Sequence, residues 1–404
     1  MEADEGRYCD VSAGVGNESA KGLDGLHFYF PPKEYFEETE KSGLMTKEQE
    51  VLIKLLSVAL AGKKMGQIPC AVNWKTVMEL ANRQEVNAIA FDGYQTIHDT
   101  IAEDGITKHK LLEWLGQTVS LERQYKIQYA AAVRLAELYE LNNIRTFVLK
   151  GFSIACCYPI PSHRFSCDLD CFLATKNTRQ EYNAYDLGNS LMESNGIPVN
   201  RDYYKHSEFN YEGLHVENHR FCCSVKRGKR TKELEAFLQE LLNKDKAIFL
   251  NDSKLALPPL PFQALFLLEH ACAHFLYEKM TLKHICDWAM FRKRYKEELD
   301  WREIDRLCTR FSLNTFAETM NHLADYLLGA VSYSQLTTLD KRVLEDTFKE
   351  VSLPSNKIQQ RIRKAMDVLC SGWKFRHFND VGMIKELSHS FFAYLLEKEV
   401  KLRK

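Results

Sequence analysis

Apolar positions repeat at helical spacing through the first third of the chain, give way to strand-like runs in the middle, and return to helical spacing toward the end. Thr46-x-x-Gln49 has the spacing of a capping box, opens the apolar run EVLIKLLSVALAG, and is closed by Gly62. Asn73 is placed to cap a helix whose Trp74, Val77, Met78 and Ala81 fall on one face. Further helices are predicted through LLEWLGQTV and over residues 122–141, the latter stopping at Asn142-Asn143. The period then changes. Ile144–Leu149 is a short apolar and β-branched run, Gly151 permits a sharp turn, and CDLDCFL alternates with a period of two. A helix over 178–196 ends at Asn195-Gly196. Residues 206–211 and 214–219 flank Glu212-Gly213 as a hairpin. From Pro261 onward nearly every segment is helical, punctuated by Pro258-Pro259 just ahead of it and by Gly329 and Pro354 within it.

This order predicts an α+β fold, a small mixed sheet embedded between helical regions. Four stretches follow: an N-terminal segment 1–45 read as partly disordered, a helical region 46–141, a core 142–225, and a mainly helical region 226–404. The aromatic stretch 27–36 within the first is a candidate for packing on the body.

Strand periodicity also makes the chemistry legible. Asp168 and Asp170 share one face of their strand, while Leu169, Cys171 and Leu173 share the other. Two carboxylates at i and i+2 repel, and a divalent cation with oxygen ligands relieves that repulsion. In the hairpin, Leu214 and Val216 are expected to face the core, which puts His215, Glu217 and His219 opposite. If that strand lies beside the Asp168 strand, Glu217 completes a cluster of three carboxylates suited to Mg²⁺ and a triphosphate. The plainer alternative is a row of solvated strand carboxylates.

Gly151, Asp168-Leu169-Asp170 and the distal Glu217 resemble the signature of DNA-polymerase-β-like nucleotidyltransferases. The set Leu149-Lys150-Gly151, Arg164, Asp168-x-Asp170 and Glu217-Asn218-His219 is similar, more narrowly, to the uncharacterised nucleotidyltransferases, over roughly residues 47 to 310. One departure stands out: the superfamily places Ser directly after the glycine, whereas here Phe152 precedes Ser153. The resemblance implies a nucleotidyltransferase-like fold that uses a nucleoside triphosphate with Mg²⁺ (Mn²⁺ also fits). It would move a nucleotidyl group to an acceptor hydroxyl and release pyrophosphate. In that reading Asp168 and Asp170 hold the metal, and Glu217 binds a second metal or takes the acceptor's proton. Lys150, Gly151, Ser153, Arg164 and His206 contact the nucleotide, Arg164 by bidentate grip or else as a charge partner of Asp168 or Asp170.

Two rival readings come from the same residues. One is a catalytically silent nucleotide-binding or interaction module. The other is a zinc-dependent hydrolase built on His215-x-Glu217-x-His219, or on His270 and His274 with His284 and Asp287 following. Composition adds only limits. With 404 residues, 45% hydrophobic and 27% charged, and a net charge of −1, the chain has no global field advertising nucleic acid or an anionic membrane. No apolar run has transmembrane length, and the acidic start MEADEGRYCD is neither a secretory signal nor a transit peptide. Twelve cysteines without zinc-finger spacing read as reduced thiols, which points to the cytoplasm. No DNA-binding motif is evident. The basic run Lys226, Arg227, Lys229, Arg230 and Lys232 reads as a solvated turn or as the side facing an acceptor: a sugar phosphate, small alcohol, RNA or protein hydroxyl.

Overall fold

A computed structural model describes residues 45–62, 72–97, 106–175, 183–244, 248–349 and 371–378. Segment 1–44 with its aromatic stretch, the first residues of the 178–196 helix, and Pro354 lie outside the described residues. The architecture is mixed α+β, with helical regions flanking a six-stranded open sheet.

The helical front begins with α1 (Lys47–Ala61). Both arms of its Thr46/Gln49 capping box are formed, and Gly62 ends it in the left-handed conformation at φ 65°. Asn73 caps α2 (Trp74–Arg83) through the Thr76 amide. The next helix, α3 (Asn87–Ile97), lies so close to α1 that a Cβ on Gly93 would stand 2.1 Å from the Leu55 carbonyl oxygen. One continuous helix of 34 residues, α4 (Lys108–Leu141), replaces the two expected over 111–119 and 122–141. No proline or competing cap separates them, so the helical hydrogen bonds run straight through.

The sheet follows. After β1 (Ile144–Val148) come the one-turn helix α5 (Phe152–Ala155), β2 (Asp168–Thr175), α6 (Ala184–Ser194), and the hairpin β3 (His206–Tyr211) with β4 (Leu214–His219). Its turn residues Glu212 and Gly213 both have positive φ, as a tight hairpin turn requires. Helix α7 (Lys229–Lys244) leads to two short strands that the sequence pattern did not predict, β5 (Ile248–Phe249) and β6 (Leu255–Leu257). Strand order is β3-β4-β2-β1-β6-β5. β1 runs antiparallel to β2 and parallel to β6, and β2 runs parallel to β4. Residues 142–225 thus supply four of the six strands. The missed pair is too short to show alternation, and β6 is fixed by pairing with β1, more than a hundred residues earlier.

Each face of the sheet has its own core. Leu169, Cys171, Leu173, Leu214 and Val216 pack with Ala132, Leu135 and Tyr139 of α4 and Met192 of α6. The opposite face, which carries Phe147, Phe172 and Ala256, belongs to a larger core shared with α1 to α3 and with the C-terminal helices α8 (Leu260–Tyr277), α9 (Leu282–Arg294), α10 (Trp301–Arg310), α11 (Asn314–Leu327), α12 (Thr338–Phe348) and α13 (Gly372–Phe378). Asp168 and Asp170 occupy that second face, at the end where a cleft remains open.

Candidate active site

Strand register brings the carboxylates together. In the parallel β2–β4 pair, Asp168 lies opposite His215 and Asp170 opposite Glu217. Residues directly opposite in a ladder put their side chains on the same face. Oxygens of Asp168, Asp170 and Glu217 accordingly lie within 4.8 Å of one another. They open into a cavity of about 270 Å³ whose other walls include Lys150, Tyr203, Lys205, His206, Arg227, Glu269 and His270.

Positive groups counter the repulsion. Lys150, at the end of β1, places Nζ 2.8 Å from Asp170 Oδ2 and 3.8 Å from Asp168 Oδ2. His219 Nε2 lies 3.0 Å from Asp170 Oδ1, while its Nδ1 lies 3.1 Å from the Phe221 carbonyl oxygen. Both neighbours are acceptors, so both ring nitrogens donate and His219 carries a proton. Burial would lower the His219 pKa, but the hydrogen bonds to Asp170 and Glu217 outweigh it and raise it. Burial would likewise raise Asp170, yet Lys150 and His219 hold it well below the usual carboxylate range. Asp168 differs: burial and the neighbouring Asp170 push it up. Lys150 is desolvated, but the two aspartates keep it charged and raise its pKa. His206 stands 3.1 Å from Glu217 Oε2 and 3.2 Å from Glu208 Oε1, with burial pulling its pKa down.

Three residues expected at the nucleotide are not among those that line this cleft. Gly151 adopts φ 71° and ψ −109°, and a Cβ there would lie 3.0 Å from Ser166 Oγ. The turn needs glycine because it packs tightly on the start of β2, and the helix it opens has only four residues. Ser153 is fully buried, its hydroxyl finds no hydrogen-bond partner, and it does not line the cleft. Arg164 is buried as well. Its Nε and Nη2 donate to the two oxygens of Asp287 on α9 at 3.0 and 2.7 Å, so its charge partner is neither Asp168 nor Asp170. Tyr158 also donates to Asp287, at 2.7 Å.

The histidines divide differently from either strand or helix spacing. His215 is exposed and stands outside the metal-capable groups; His206 joins Glu217 and His219 instead. Asp287, committed to Arg164, is not part of the His270–His274–His284 group. The basic run also splits. Arg227 reaches the cleft and stacks 3.7 Å over Tyr277, whereas Arg230 pairs with Glu269 and Lys229 with Glu233. Tyr203 and Glu269 line the cleft with no spacing signal in the sequence to mark them.

An acidic cluster on adjacent parallel strands, edged by lysine and arginine and roofed by helices, is an arrangement for holding cations and phosphates. A family model described as uncharacterised nucleotidyltransferase matches residues 71–329, more than half of the chain, and the protein belongs to that family. No curated protein and no solved structure matches the chain.

Proposed function

We propose that the protein is a Mg²⁺-dependent nucleotidyltransferase, with Mn²⁺ able to substitute, that moves a nucleotidyl group from a nucleoside triphosphate to an acceptor hydroxyl. Family membership suggests nucleotidyl transfer. The observation that carries the reading is the convergence of Asp168, Asp170 and Glu217 within 4.8 Å at the wall of the cleft. Their all-oxygen donor set suits a hard cation. Asp170 Oδ2 faces only the Lys150 ammonium, at 2.8 Å and without a well-formed hydrogen bond, which leaves it lone-pair capacity for a cation. When bound, Mg²⁺ supplies charge neutralisation on the phosphates and on departing pyrophosphate.

The chain's own groups do the positioning. Lys150, Lys205 and Arg227 present positive charge to a polyphosphate entering the cleft. His219 fixes the Asp170 carboxylate, and Glu217, with His206 beside it, accepts the proton of the acceptor hydroxyl. A cavity of about 270 Å³ suits the phosphate end of a nucleotide rather than all of it. The seating of Ser153 and Arg164 away from the cleft favours a second reading, a nucleotide-binding module without turnover. Nine free thiols among the described residues support a reducing compartment such as the cytoplasm. No described helix is long and apolar enough to cross a membrane.

Calorimetry with the four nucleoside triphosphates and Mg²⁺, comparing wild type with Asp168→Ala/Asp170→Ala, tests the site. Metal-dependent binding is expected in the wild type and lost in the variant; equal binding by both refutes the assignment. Pyrophosphate release with candidate acceptors then separates transferase from silent module.

A further inference from the structure

The mouth of the cleft continues outward into a surface of rings and cations. Two segments make it: the loop before β3, residues 201–205, and the stretch after β4, residues 220–227. Backbone bonds hold them side by side. The Lys205 carbonyl accepts from the Arg220 and Phe221 amides at 2.8 and 3.1 Å, and Asn200 exchanges two 2.8 Å bonds with Glu208 at the base of the loop. The Asp202 amide donates to Asn200 Oδ1 at 3.0 Å. A loop tied in this way presents its side chains with little ordering cost left for a ligand to meet.

The side chains alternate in kind. Tyr203 lines the cleft yet is 45% exposed, and its ring is braced edgewise by Tyr204 and His206, with centroids 5.0 and 4.8 Å away. Tyr204 stands 6.5 Å from Phe221, and Lys226 Nζ lies 4.2 Å over the Tyr204 ring. Arg220 is exposed and rests against Tyr185 and Phe221, at 5.7 and 5.8 Å. Arg227 lies over Tyr277. A guanidinium set over a ring keeps N–H edges available to phosphate oxygens. Acidic side chains alongside are fewer. Glu278 faces Lys205 and Arg227 but is engaged by His274 Nδ1 at 3.0 Å, and Asp202 adjoins Tyr203. Lys205, Arg220, Lys226 and Arg227 thus give a local positive excess on a chain whose net charge is −1. Tyr203, Lys205 and Arg227 line the cavity, whereas Tyr204, Arg220, Phe221 and Lys226 do not. A triphosphate seated at the carboxylates accounts for the first group only.

We propose that this rim is the acceptor subsite and takes a single-stranded polynucleotide, with Tyr203 stacking on its terminal base. The role of the strand's end as acceptor rests on the nucleotidyltransferase reading; the binding surface does not. Exposed rings accept any base by its π-face, and cations follow the phosphates without reading sequence. His206 joins the rim to the chemistry, since it touches Tyr203 and stands 3.1 Å from Glu217 Oε2. A terminal sugar beside Tyr203 brings its hydroxyl toward Glu217. The carboxylate takes the proton as that oxygen bonds to the α-phosphorus and the bond to pyrophosphate breaks. A duplex suits this surface less well, because its bases are stacked on one another and do not reach the ring.

The test is fluorescence anisotropy of the full chain with short labelled oligo(U) and oligo(dT), in the absence of Mg²⁺ and nucleotide. Four phosphate contacts predict a roughly 50-fold loss of affinity between about 50 and 200 mM salt, a readout that needs no variant to fold. In Arg220→Ala/Lys226→Ala the loss over the same range should shrink to about 7-fold. Tyr203→Ala should weaken binding roughly 5–100-fold at fixed salt, with Tyr203→Phe close to wild type. Asp168→Ala/Asp170→Ala should still bind. Four results overturn the proposal: no binding at about 50 mM salt, tighter binding of a duplex than of either strand, affinity unchanged in both rim variants, or displacement by inorganic phosphate or a sugar phosphate as readily as by unlabelled oligonucleotide. Oligonucleotide binding here needs neither metal nor triphosphate, so the surface and the transferase reading fail separately.

Discussion

Arg164 offers a direct contest between a ligand role and a structural one. Arg164 is 4% exposed and Asp287 is 5% exposed. They share two hydrogen bonds, Tyr158 donates a third to Asp287, and Arg164 Nη1 donates to the Phe165 carbonyl at 3.0 Å. Arg164→Met leaves a buried carboxylate with only a tyrosine hydroxyl, and Asp287→Leu leaves a buried guanidinium with one carbonyl. Each change should cost about 3–5 kcal/mol. Arg164→Met/Asp287→Leu removes both charges and leaves chiefly the Tyr158 hydroxyl unpaired, at about 1–3 kcal/mol. The double variant should therefore be more stable than either single one, with a coupling of at least about 3 kcal/mol between the two sites. Urea unfolding followed by tryptophan fluorescence suits the test, because Trp288 adjoins Asp287 and is buried. If both single variants cost under about 1 kcal/mol and add in the double, while Arg164→Met abolishes triphosphate binding, the pair is not structural. Arg164 would then belong with the phosphates.

Two further predictions concern the turn and a buried histidine. Gly151→Ala forces an L-residue to φ 71° and presses its Cβ against Ser166 Oγ, so it should cost about 1–3 kcal/mol and weaken triphosphate binding; unchanged urea midpoints would exclude the strain. His163 lies between Asp92 and Glu122, at 2.8 Å from each, and although burial opposes protonation these carboxylates raise its pKa. Because the folded value is raised, the stabilisation is fully present below the unfolded pKa of about 6.5 and is lost as pH rises through the folded value. The stability gap between wild type and His163→Gln should thus narrow with rising pH above about 6.5; a gap that widens contradicts the ion pairing.

Much of this site could be read from periodicity because its parts are local. A period of two sets Asp168 and Asp170 on one face, and the Glu212-Gly213 turn fixes the hairpin that carries Glu217. The neighbouring strand order was conditional in the sequence and becomes explicit only in the β2–β4 register. Ser153 stands one residue later than the serine of the superfamily pattern. Inserting Phe152 rotates the next helical position by about 100°, which turns the hydroxyl from the turn into the core. The partner of Arg164 could not be read, since Asp287 lies 123 residues away on α9. The histidine cluster was half visible: the i, i+4 pair is a helix property, whereas His284 arrives through the fold of the α8–α9 connection.

Charge balance ties the acidic cluster to its proposed ligand. Asp168, Asp170 and Glu217 bring three negative charges when ionised; Lys150 and protonated His219 bring two positive ones. One net negative charge remains, and it attracts a cation but repels a polyphosphate. A divalent cation among the carboxylates would reverse the sign to one net positive charge, favourable for an anion. Lys205 and Arg227 at the rim would add to that field. Under the proposed function, an order of binding would follow from this reversal: metal alone, or metal already on the triphosphate, would enter a site that disfavours the bare nucleotide.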